Sequence, residues 1–183
     1  KDAIVDAADL TGAILNNVVL DGASLRGAQL GCCDNSGNLL TSCVPARTLG
    51  MSMGGADLSS PISGAKTDIC QTGLKGANLA EANLSGVLAV ATDLREANLA
   101  GALLIGTNLG EAYLEAVVMT GADLDGATFE GGDARSAIFG NANFQNVNMR
   151  DAYLVGADFS SAWIECSNVN LGTNMTDANF TGA

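Results

Sequence analysis

Hydrophobic positions recur at every fifth residue. From Val5 the series runs through Leu10, Leu15, Leu20, Leu25 and Leu30, and a second series keeps register for 21 units from Ile69 to Val169. Two residues before each centre stands a small side chain, as with Ala3, Ala8 and Ala13, or Ala77, Ala82, Ala97 and Ala102. A one-residue slip then leads to Met175 and Phe180. A period of five fits neither the helical 3.6 nor the strand period of two, and it excludes a heptad coil. Each unit must hold an extended step and a turn, so that one large and one small side chain always point inward. An Asp or Asn precedes many centres and Gly often follows by two, as in Ala82-Asn83-Leu84-Ser85-Gly86 and Ala122-Asp123-Leu124-Asp125-Gly126. Asx side chains bond nearby backbone, and Gly tolerates unusual φ, so both fit a turn.

With these residues in place, the chain resembles the pentapeptide repeat family, whose consensus is A(D/N)LXX. The resemblance covers residues 3–30 and 69–183. It implies an all-β fold, a right-handed quadrilateral β-helix with four repeats per coil and about nine coils, so 1–183 is expected to form a single β-helix domain. Residues 20 apart should then stack at the strand spacing of roughly 4.8 Å. On this register Leu99, Met119, Phe139 and Phe159 share a face, and Phe139 should stack directly on Phe159.

Residues 31–68 depart from the pattern as irregular cysteine-containing coils or an insertion, and are read as two irregular coils with a bulge. This stretch holds both prolines, Pro45 and Pro61, and a stray unit, Ala56-Asp57-Leu58. Cys32, Cys33 and Cys43 lie within it and Cys70 just beyond it. Cys33 falls in a small inward slot and is read as a core residue. Cys32, Cys43 and Cys70 are candidates for a disulfide of undetermined pairing; Cys166 also falls outside the inward slots, and the odd total of five leaves at least one thiol unpaired within the chain. A disulfide here favours an oxidising compartment, such as the thylakoid lumen or periplasm, over the cytoplasm.

Composition narrows the chemistry. Hydrophobic residues make up 48% of the chain but aromatics only 4%, so the core must be a narrow one of Leu and Ala. The net charge is −12, from 20 acidic and 8 basic residues. That cannot supply the cationic surface a nucleic-acid binder needs. There is no His, which removes the commonest general base and metal ligand, and no CxxC pair suggests zinc. No catalytic residue, cofactor or metal is expected, and no apolar run is long enough to be a transmembrane segment.

Candidate sites are therefore surfaces. Asp93, Tyr113, Asp133 and Tyr153 precede centres on one face, followed by Lys75, Arg95, Glu115 and Arg135 after the centres. Arg95, Glu115 and Arg135 are expected to form a stacked charge ladder, with Tyr113 and Tyr153 as binding anchors. Leu88, Val90, Leu103 and Ile105 should point outward on two adjoining faces as an apolar cluster, with Trp163 outward further along.

These features predict a non-enzymatic protein-interaction or scaffold module. Family resemblance suggests an accessory subunit of a larger photosynthetic or lumenal assembly, able to dock on a membrane complex. The alternative, also carried by the resemblance, is a DNA-mimicking protein that interacts with gyrase or a topoisomerase. Against it, the acids disperse over all four faces, and one face interleaves them with Lys75, Arg95 and Arg135. Open coil ends expose strand edges, so a protein partner or second copy is expected to cover at least one end.

Overall fold

In a full Ala-Asx-Leu-X-Gly repeat inside the rod, all five backbone N–H groups find acceptors, which explains the repeat's composition. In the unit centred on Leu84, Ala82 N–H closes a turn on the Leu79 carbonyl at 3.1 Å. Asn83 N–H reaches back one coil to Ala56, while Leu84 and Gly86 reach forward to Leu103 and Ile105. The remaining N–H, that of Ser85, is taken by the Asn83 side chain at 3.1 Å. The Asx before the centre is thus a cap for the one donor that the ladder leaves over. The same cap recurs at Asn98, Asn108, Asp123, Asn143 and Asp158.

This computed structural model describes residues 3–48, 51–60, 66–164, 179 and 181. From Asp68 onward the parallel bridges join residues 20 apart as far as Ile138 and Asp158, giving four ladders. The first face runs through Asn83, Leu103 and Asp123, the second through Leu88, Asn108 and Thr128. The third runs through Asp93, Tyr113, Asp133 and Tyr153, the fourth through Asn98, Val118, Ile138 and Asp158. Rungs are mostly single bridges. Two strands, β1 (Asn143–Phe144) and β2 (Trp163–Ile164), pair in parallel on the first face.

That first face passes through Ile4, Ser24, Asp57, Asn83, Leu103, Asp123, Asn143 and Trp163, so eight coils run through the described residues. Twenty residues per coil, as the family resemblance implies, would give about nine over 183 residues. The difference lies between residues 31 and 68. Ile14 pairs with Arg47, 33 rather than 20 residues on, and Asp57 pairs with Asn83, 26 on. The stretch therefore supplies one coil plus two surpluses, of thirteen and six residues, instead of the two irregular coils expected. The stray Ala56-Asp57-Leu58 unit is a regular rung between Ser24 and Asn83.

The centres from Leu25 to Phe159 line a continuous buried core with the small residues. Val5, Leu10, Leu15 and Leu20 of the first coil are only partly buried. Phe139 and Phe159 stack at 5.0 Å between ring centroids with 25° between planes, and Phe129 and Phe144 pack around them. Met175 and Phe180, read as centres, lie outside the described residues.

Each corner needs a residue with positive φ two after the centre. Many are Gly, but Glu81 sits there at φ 60° and Ala91 at 53°. An L side chain in this region costs about 1–2 kcal/mol, partly offset in glycine by unfolded-state entropy. Glu81→Gly should therefore stabilise the protein by about 0.5–1 kcal/mol. Urea denaturation of the variant checks this, and a net loss would mean that the Glu81 side chain contributes more than its strain costs.

Candidate functional site

The thirteen-residue surplus forms an arm that leaves after Leu30 and returns at Ala46, whose N–H closes the interrupted turn on the Leu30 carbonyl at 2.7 Å. Gly31 stands at the exit, where a Cβ would collide with the Cys70 backbone and the Asp68 carboxylate. Two disulfides hold the arm. Cys32–Cys43 closes its base and Cys33–Cys70 ties it to the second face. Cys33 is buried, but in a small cluster with Cys70 and Leu88 outside the main core.

A hairpin opens the arm, with an antiparallel bridge between Cys33 and Leu39. Asp34 accepts the N–H groups of Ser36 and Asn38 at its tip. This hairpin lies on the second face and covers Leu88, which is 2% exposed. The expected outward cluster is thus divided. Leu88 is covered, with Val90 packed partly buried beside it, while Leu103 and Ile105 stay exposed on the first face. Register placed Leu88 outside the coil correctly; a hairpin from a distant coil then buried it.

Asp68 precedes a centre on the second face, yet is 1% exposed because the arm covers it. One carboxylate oxygen caps Cys70 N–H at 2.7 Å, and the other accepts Cys33 N–H at 2.8 Å. Burial pushes its carboxyl above the usual range, opposed by these two donors. Asp68 lies close to both sulfurs in a metal-like cluster, but Cys33 and Cys70 are bonded to each other, leaving no thiolate to ligate.

On the third face, Arg95 grips Asp93 through Nε at 2.8 Å and Nη2 at 2.7 Å, and Arg135 grips Asp133 in the same way. The hydrogen bonds from these arginines hold both carboxyls below their usual range. Arg95, Glu115 and Arg135 were expected to pair along the rod. Each arginine instead pairs within its own coil, since an Asp two residues back on the same flat face presents both oxygens to the guanidinium fork. The Arg95 guanidinium also lies over the Tyr113 ring, 6.0 Å from its centroid. Tyr113 and Tyr153 are 52% and 53% exposed.

Sequence reading missed Ile14, Val44 and Arg47, which join this face near its N-terminal end. Ile14 and Val44 are exposed, and Arg47 bridges Ile14. Among the described residues no bridge joins Arg47 to Gly73; the Thr48 hydroxyl donates to the Gly73 carbonyl instead. An open groove of about 680 Å³ lies here, lined by Val44, Pro45, Arg47, Gly73, Lys75 and Asp93 among others. Its parts come from several coils and from the returning arm, so no periodicity signals it.

Trp163 is exposed at the far end of the first face, and Cys166 lies outside the described residues. No helix among the described residues is long and apolar enough to cross a membrane.

The fold defines a solenoid of stacked five-residue units carrying flat, ordered side-chain ladders. One pentapeptide repeat model matches residues 6–34 and 92–131 and another residues 114–158, together just over half of the chain. The chain belongs to the pentapeptide repeat family, as a right-handed quadrilateral β-helix, and neither matching model describes a catalytic family.

Among solved structures, a trypsin-treated form of QnrB1, a plasmid-mediated fluoroquinolone resistance protein, is 16% identical over 98% of this chain and 90% of its own, with a TM-score of 0.47. HetL, a pentapeptide repeat protein involved in heterocyst differentiation regulation from the cyanobacterium Nostoc sp. strain PCC 7120, is 27% identical over 97% and 87%, with a TM-score of 0.31. A pentapeptide repeat protein from the Arabidopsis thaliana thylakoid lumen is 30% identical over 61% and 63%, with a TM-score of 0.19. No curated protein matches the sequence.

Proposed function

We propose that this protein is a non-enzymatic protein-interaction module, an accessory subunit of a larger assembly, and that its third face is the recognition surface. The observation that carries this reading is the pair of half-exposed tyrosines, Tyr113 and Tyr153, set on a rail of locked Arg–Asp pairs. Two coils separate them, about 10 Å at the strand spacing. Aromatic rings held this way contribute contact area at little entropic cost, which suits a binding hot spot. The exposed ion pairs themselves add little to stability, because solvent screens them. Leu103, Ile105 and Trp163 on the first face offer a second contact region. The two disulfides support an oxidising compartment such as the thylakoid lumen or periplasm.

The double variant Tyr113→Ala, Tyr153→Ala should unfold within about 0.5 kcal/mol of the parent, as expected of surface positions. It should nevertheless fail to retain proteins that the parent retains from its native source. Retention of the same set by both would remove the third face from consideration.

A DNA-mimicking, gyrase-interacting role is the second reading, favoured by the net charge of −12. The interleaved cations of the third face weigh against it. Gyrase supercoiling unaffected by added protein separates the two readings.

A further inference from the structure

The arm is held to the rod by covalent bonds more than by packing. Its aliphatic side chains, Leu39, Leu40 and Val44, are all exposed, so they contribute little burial. Beneath it only Cys33, Cys70 and Leu88 form a buried cluster, and two of those three are the disulfide itself. The tip hairpin is internally well bonded, with Asp34 N–H donating to the Asn38 carbonyl and the Asn38 amide to the Asp34 carboxylate. It therefore behaves as a preformed cover resting on the second face at Gly37. There φ is 88°, and a Cβ would fall 3.0 Å from the Asn108 amide nitrogen, 3.6 Å from Val90 and 3.7 Å from Leu88.

The four sulfurs differ in access. Cys32 and Cys70 have no exposed surface and Cys33 only 6%, whereas Cys43 is half-buried. We propose that Cys32–Cys43 is a thiol–disulfide exchange site for a dithiol reductant, and that its opening makes Cys33–Cys70 reducible and releases the arm from Leu88 and Val90. This proposal is independent of the third-face reading.

The first step is attack by a reductant thiolate on Cys43 Sγ, with Cys32 departing as the thiolate and taking up a proton. The second thiol of the reductant resolves the mixed disulfide, so two electrons and two protons pass to Cys32 and Cys43 and the reductant leaves as its own disulfide. A second equivalent does the same at Cys33–Cys70. The buried Asp68 carboxyl lies close to both of these sulfurs, and the departing thiolates take their protons from solvent that enters as the arm lifts.

Release uncovers Leu88 and Val90. Leu103 and Ile105, exposed on the adjoining face of the next coil, lie one corner from Asn108, the rung above Leu88. Reduction would thus complete the aliphatic surface that the arm divides.

The test uses the full chain under native conditions with dithiothreitol as the dithiol, alkylating and mapping the four cysteines over time. Cys32 and Cys43 should label first, at least about 10-fold faster than Cys33 and Cys70, as their access predicts. Deuterium uptake should then rise at residues 33–44 and around Leu88, with the coils from Leu94 to Phe159 still protected, and dye binding to apolar surface should increase. In Cys32→Ser, Cys43→Ser, the remaining disulfide should be reduced several-fold faster than in the parent. Gly37→Val, with both disulfides intact, should raise uptake around Leu88 without reductant. The proposal is overturned if either disulfide yields only on global unfolding, if Cys33–Cys70 is reduced equally slowly in the double variant, or if the reduced chain keeps full protection at residues 33–38.

Discussion

Phe139→Ala should destabilise the protein by about 4 kcal/mol, read from urea denaturation, the range expected when a fully buried aromatic leaves a cavity. Phe139 has no exposed surface and contacts three other rings, with centroids at 5.0 Å from Phe144 and Phe159 and 6.0 Å from Phe129. The core is only one coil wide, and its walls are ladders of hydrogen bonds that cannot collapse inward without breaking rungs. The cavity should therefore persist. Asn98→Ser, one residue before a centre, replaces one cap with a weaker one and should cost well under about 1 kcal/mol. Equal costs at the two positions would contradict the inward–outward alternation.

Removing Cys33–Cys70, by Cys33→Ala with Cys70→Ala, should cost about 4 kcal/mol, and removing Cys32–Cys43 about 3 kcal/mol. The order follows from sequence separations of 37 and 11 residues, since the longer closed loop restricts the unfolded chain more. Denaturation midpoints with the slope held equal would check both values. A much larger loss at Cys33–Cys70 would mean that the cluster around Leu88 contributes packing beyond the crosslink.

The coil was legible because its chemistry is local. An Asx cap, a turn and two inward side chains recur within five residues, so the pattern shows at every unit. The number of repeats per coil is not local, and it came from family resemblance before the 20-residue bridges displayed it. The arm was illegible because its pairings obey no period. Arg47 finds Ile14 across an excursion, and Ala46-Arg47-Thr48, with polar Thr48 buried at a centre, lacks the Leu that marks a repeat. Cys33 looked like a core residue for the same reason, since its apparent slot belongs to chain that has left the coil. Of the surface residues, Tyr113, Tyr153 and Trp163 needed only the register to be placed outside. Leu88 needed knowledge of what lies above it, and the Arg–Asp grips needed side-chain geometry.

The pairing register closes again after the thirteen residues of the arm have been looped out. From Asp68 the 20-residue phase then holds as far as Asp158. A corner therefore acts as a socket for grafts, because a segment inserted there decorates the rod without altering its length, while each added set of twenty residues lengthens it by about 4.8 Å. Length and decoration become separate variables, so the molecule can serve as a graduated spacer between two contacts while its loops diversify freely.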